Sequence, residues 1–106
     1  MATGIITNPF TSPNYSSSST IVSGAGNQYT ITKPGWVHGI GANGANAASK
    51  PLFRLEINGT IVAAVTGRDE NYTYIDTGLY PVKAGDVVKI YTGTFSGTNT
   101  IDFIPL

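Results

Sequence analysis

The sequence predicts an all-β domain built as a sandwich or barrel, and three observations carry that prediction. From Thr20 onward, Gly, Pro or Asn turns up every ~8–12 residues between β-rich runs, the spacing of short strands joined by turns. No stretch keeps a 3.6-residue apolar period over three turns, so almost no helix is expected. The third observation is Leu79 to Tyr91, which reads as two strands, Leu79 to Val82 and Val87 to Tyr91, around a corner at Lys83-Ala84-Gly85-Asp86. Gly85 can take the positive φ a corner needs, and Asp86 can accept hydrogen bonds from amides the turn leaves unpaired. Pro81 is tolerated at an edge or in a strand's first residues. Past the corner, Val88 and Ile90 share one face, and Val87, Lys89 and Tyr91 the other.

The elements follow in order. Residues 1–19 form a Thr/Ser/Asn/Pro tract anchored only by Ile5, Ile6 and Phe10, and read as an arm or linker ahead of a domain at 20–106. Thr20 to Ser23 is a short strand closed by Gly24-Ala25-Gly26-Asn27. Gln28 to Thr32 is the next, with Tyr29 and Ile31 on one face, ended by Lys33-Pro34-Gly35. Trp36 to Ile40 is a strand leading into small residues. Leu52 to Asn58 alternates Phe53, Leu55 and Ile57 against Leu52, Arg54 and Glu56. Asn58-Gly59 is the strongest hairpin signal, because a type I′ turn needs positive φ at both central residues. Ile61, Ala63 and Val65 are expected to face inward on the returning strand, Thr60 to Thr66. Tyr72 to Asp76 is a strand turned at Thr77-Gly78, and Thr100 to Leu106 closes the chain with Ile101 and Phe103 on one face.

Composition limits the function. The 106 residues suit one domain with one core. Charged residues make up 11% of the chain, against about 25% in an average soluble domain, so Thr, Ser and Asn must supply most of the polar surface. Six basic and six acidic side chains cancel and are scattered, which lacks the basic footprint nucleic acid requires. With no cysteine, neither a disulfide framework nor a thiolate metal site can form. The segment from Met1 to Pro9 has no basic start or long apolar run, and no stretch is long enough to span a membrane. The expectation is synthesis in the cytosol without a secretory signal, and export, if any, within an assembly.

Catalytic and cofactor signals are weak. Gly39-Ile40-Gly41-Ala42-Asn43-Gly44 spells GxGxxG, but no amphipathic helix follows, so a loop of small residues is the better reading than a dinucleotide site. His38, the single histidine, would need a carboxylate to orient it and a hydroxyl beside it for nucleophilic catalysis, and is read as structural or partly exposed. Asp69 and Glu70 adjoin, so on an extended loop they point apart rather than forming an acid/base pair. Their oxygens suit calcium, yet a solvated loop is favoured. No enzyme activity, cofactor or metal is therefore expected. Three Asn-x-Thr/Ser acceptor patterns, at Asn14, Asn58 and Asn71, are read as chance without a secretory route. Tyr72 and Tyr74 share a strand face beside Arg68, Asp69 and Asn71, a mix of flat rings and directional polar groups that can grip a sugar.

Four segments together resemble the C1q/TNF-like jelly-roll superfamily: Tyr29-Thr30-Ile31 with Pro34-Gly35-Trp36, Leu55-Glu56-Ile57-Asn58-Gly59, Leu79 through Ile90, and Ile101-Asp102-Phe103-Ile104-Pro105-Leu106. The match spans roughly residues 27–106 in the family's order. The stretch from Tyr72 to Leu79 is shorter than is usual there, and the collagen-like stalk and signal peptide of secreted animal members are lacking, so the chain is most similar to bacteriophage head- or tail-fibre knobs. The resemblance implies a jelly-roll sandwich of two antiparallel sheets, a homotrimer, termini together at the base and loops at the far end.

A second apolar face points the same way. Val87, Tyr91, Ile104 and Leu106 are not expected to share the core layer of Val88, Ile90, Ile101 and Phe103. Burying a Val, Leu or Ile is worth ~1.5–3 kcal/mol, so four left wet would favour aggregation unless closed association dries them. These four are the expected trimer interface. The expected protein is a non-enzymatic phage fibre-knob or virion-decorating trimer on the virion surface, joined to other virion or fibre proteins through its N-terminal arm and binding a bacterial surface glycan through Arg68, Asp69, Asn71, Tyr72 and Tyr74. The alternative is a purely structural trimerisation module with no ligand of its own.

Overall fold

The computed structural model describes residues 15–42, 52–67, 74–94 and 97–106. They form an all-β sandwich of two antiparallel sheets. A single 3-10 turn, Tyr15–Ser17, precedes β1 (Ser19–Ser23), β2 (Gln28–Thr30), β3 (Gly35–Ala42), β4 (Leu52–Ile57), β5 (Thr60–Thr66), β6 (Tyr74–Asp76), β7 (Tyr80–Val82), β8 (Val87–Ile90) and β9 (Thr98–Pro105). One sheet runs β1-β9-β3-β6, with β7 also on β3, and the other runs β2-β8-β4-β5. The pairings nest: β1 with β9, β2 with β8, β3 with β6 and β7, and β4 with β5. The pairs β3–β9 and β4–β8 complete the two layers.

Alternation decides which side chains meet between the layers. Phe53, Leu55, Val88 and Ile90 come from the second sheet, and Val22, Val37, Ile75, Val82, Ile101 and Phe103 from the first, with Ile31 entering from the β2–β3 connection. Phe53, Leu55, Val37, Val88, Ile90 and Ile101 are wholly covered. The sheets approach closely at Gly39, where a Cβ would collide with the Phe53 ring. Glycine is required there by space, and the first four residues of the GxGxxG string are strand: Gly39 to Ala42 complete β3 instead of opening a loop.

Two expected features are corrected. In the β4–β5 hairpin, Leu55 pairs with Ala63 and Glu56 with Ile61, so Val62 forms a bulge. That extra residue leaves Ile61 on the outward side, 43% exposed, while Val62, Ala63 and Val65 pack on the core. Thr77-Gly78 does not reverse the chain either. β6 and β7 both run antiparallel to β3, along the same edge, so residues 77–79 interrupt one strand. The gap is filled by Thr77, whose amide donates to the Gly39 carbonyl at 3.0 Å and whose Oγ1 accepts from the Gly39 amide at 2.8 Å. No helix among the described residues is long and apolar enough to cross a membrane.

Candidate functional site

Because Val37 and Gly39 face the core, β3 turns Trp36, His38 and Ile40 to the outer face of the five-stranded sheet, each partly covered. The register then writes out that face. Trp36 lies between Ile104 and Pro81, His38 opposite Asp102, and Ile40 between Thr100 and Asp76. Tyr74, opposite Ala42, ends it. A polar row thus crosses the sheet between an apolar end at Trp36, Pro81 and Ile104 and a second apolar patch at Ile40.

Within the row each polar group has a partner. With its proton on Nδ1, His38 donates to the Asp76 carboxylate at 3.1 and 3.2 Å. Asp76 is itself aimed by the Gly78 amide, which donates to its Oδ1 at 2.9 Å. Thr20 donates from Oγ1 to Asp102 at 2.8 Å. His38 therefore has the orienting carboxylate that nucleophilic catalysis would ask for, and the Thr20 hydroxyl across the row is committed to Asp102. Asp76 lies 38 residues from His38, and only the interrupted β6–β7 edge brings it there. Among the described residues no group of three His, Asp or Glu side chains is placed to hold a metal ion.

The sequence-predicted site residues scatter. Arg68, Asp69, Asn71 and Tyr72 lie outside the described residues, as does Glu70. Tyr74 is 66% exposed on the outer face just described. The four residues expected to form one trimer patch do not share a face. β8 and β9 adjoin in sequence but belong to different sheets, so Val87 faces out from one layer and Ile104 from the other. Tyr91 stacks beneath Arg54, whose guanidinium lies 5.4 Å from the ring centroid and donates to the Gly93 carbonyl at 3.3 Å. Ile104 is fully covered within its own chain, and Leu106, past the end of β9, is 77% exposed. Only Ile104 adjoins the Trp36 face.

The best-satisfied polar group closes one end of the second sheet. Asp86 accepts from the Asn58 amide at 3.0 Å, from the Lys83 backbone at 3.0 Å and from the Lys83 ammonium at 3.0 Å. Those hydrogen bonds, the Asn58 one first, pull its pKa down to about 2. This clasp joins two corners and is architectural.

Beside this clasp, where edge strands β1 and β2 part, a cleft of about 140 Å³ opens between Ile21, Ile31 and Phe103, with Ser19, Tyr29, Thr32 and Lys33 around it. Tyr29 pairs with the inward-facing Val88, so its ring shares the core side with Ile31 yet remains 37% exposed at the open edge. Comparison with known proteins adds no assignment to this geometry: no family model matches the sequence, and no curated protein matches it.

Proposed function

We propose that this chain is a non-enzymatic jelly-roll knob that assembles as a homotrimer on a phage-type fibre or virion and presents glycan-binding surface to a bacterial cell. The observation that carries this reading is the nested pairing of β1 with β9, β2 with β8, β3 with β6 and β7, and β4 with β5. Such nesting is what one long hairpin rolled over on itself would give, and it supports reading the sandwich as the double-sheet architecture used by viral capsid and lectin domains. Ser19 pairs with Phe103, so the two ends of the described body lie side by side.

Association is supported by the outer face of the five-stranded sheet, where Trp36, Ile40 and Pro81 flank the polar row. Closed symmetric contact would cover these side chains without leaving an open end. The assembly surface proposed here is therefore the face of Trp36, Ile40 and Pro81, in place of a single patch of Val87, Tyr91, Ile104 and Leu106. Light scattering at micromolar concentration tests it: a mass near three times the 11.1 kDa of one chain is expected, and a monomer overturns the trimer.

A second reading, a trimerisation module with no ligand, is favoured by one observation. Tyr74 sits on the same outer face as Trp36 and Ile40, where a contact between copies would cover it. Glycan-array binding that survives Tyr74→Ala and is lost in Tyr72→Ala supports a site at Tyr72 clear of the assembly. Uniform silence on the array with retained particle binding supports the module.

A further inference from the structure

We propose that the cleft between β1 and β2 binds one acidic pyranose, a six-membered sugar ring carrying a carboxylate. The inference rests on the glycan-binding reading above and gives it a place and a ligand class. Its size sets the first limit. An enclosed apolar cavity of about 150 Å³ admits benzene, so the open cleft of roughly 140 Å³ here is on the scale of a single six-membered ring.

The lining sets the second. Ile31 and Phe103, 2% and 8% exposed, make a rigid apolar floor that suits the C–H face of a pyranose. Tyr29 offers an exposed ring at the mouth, and the Ser19 and Thr32 hydroxyls can meet ring hydroxyls.

Charge selects the class. Among the described residues Lys33 has no carboxylate partner, whereas Lys83, beside a second surface cavity, is held 3.0 Å from Asp86. A lysine at a cleft mouth with no carboxylate partner among the described residues favours a ligand that brings its own anion. Because Lys33 is exposed, that preference is modest, and three copies on one head would multiply it through effective concentration.

The test is an amide NMR titration of the full chain with methyl β-glucuronoside and methyl β-glucoside as probes. The glucuronoside is expected to shift amides of the cleft, Tyr29 and Thr32 among them, and to bind about fivefold more tightly than the neutral sugar. Lys33→Gln should level the two probes and Tyr29→Ala should weaken both. Both residues are at the surface, and unchanged spectra away from the cleft establish that the variants fold. Equal binding of the two sugars, shifts confined to another surface, or a preference that persists in Lys33→Gln overturns the proposal. If the cleft stays unmoved while a glycan array still reports binding, the cleft assignment falls and the glycan reading stands. A silent array together with an unmoved cleft removes both.

Discussion

The Asn58 side chain bridges Asp86 and Val87: its Nδ2 donates to Asp86 Oδ1 at 3.0 Å while its Oδ1 accepts from the Val87 amide at 2.9 Å. Asn58 is also the first residue of the β4–β5 turn, at φ 52°, followed by Gly59 at 82°. One residue thus meets the conformational demand of a type I′ turn and the hydrogen-bonding demand of the β7–β8 corner. Ile31 adds a third strap, donating from its amide to the Asp86 carbonyl at 2.7 Å and accepting from the Gly85 amide at 2.8 Å.

This clasp makes stability sensitive to acid. The folded state lowers the Asp86 pKa from 3.8 to about 2, so the unfolded chain takes up the proton first as pH falls. The stabilisation is complete above pH 3.8 and drains away as pH falls towards 2. Thermal midpoints of the wild type should therefore drop through that window, whereas Asp86→Asn should start lower at pH 7 and lose less on acidification. Parallel curves for the two proteins would show that Asp86 is not the group responsible.

Gly39 leaves no room for a Cβ against the Phe53 ring of the facing sheet. Gly39→Ala should cost about 1–3 kcal/mol, the usual penalty of overpacking a close-packed core. Phe53→Leu alone should also destabilise, by loss of buried ring area, but in the double variant the new methyl gains space and the two losses should sum to less than their separate values. Urea midpoints of the four proteins measure that coupling, and strict additivity would mean the backbone shifts freely at Gly39.

Which features were legible from sequence follows from whether they are local. Asn58-Gly59 announces its own turn, the alternation of Phe53 with Leu55 and of Val88 with Ile90 assigns the core faces, and Ile101 and Phe103 reach the core as their spacing implies. Sheet membership is not local. Val87 and Ile104 are both apolar and opposed to core residues, but nothing near either one states that β8 and β9 enter different layers. The Val62 bulge was equally hidden, because a one-residue offset leaves Thr60 to Thr66 as β-rich as a regular strand. His38 could be singled out as the lone histidine, whereas its partner Asp76 depends on β6 and β7 sharing one edge of β3.

Thr77 holds that shared edge together. Thr77→Val keeps the side-chain volume but removes the Oγ1 that accepts from the buried Gly39 amide, and an orphaned buried donor costs about 1–3 kcal/mol. The Gly39 amide should exchange with solvent faster than in the wild type, and Thr77→Ser should restore most of its protection. An unchanged Gly39 exchange rate in Thr77→Val would mean that another acceptor serves the amide.

The two candidate assembly surfaces are separated by charge placement. A carboxylate introduced at the centre of an apolar contact must be desolvated three times over in a closed trimer, at a cost no exposed variant incurs. Trp36→Glu and Ile40→Asp should therefore release monomers that remain folded, since both side chains lie outside the inter-sheet core. Val87→Lys, on the opposite sheet, should leave the assembly intact. Sedimentation at matched concentrations with far-ultraviolet spectra of each variant decides between them: dissociation by Val87→Lys with assembled Trp36→Glu would return the interface to β8, and a folded monomer in every case would show that the outer face of the five-stranded sheet is an ordinary solvent surface.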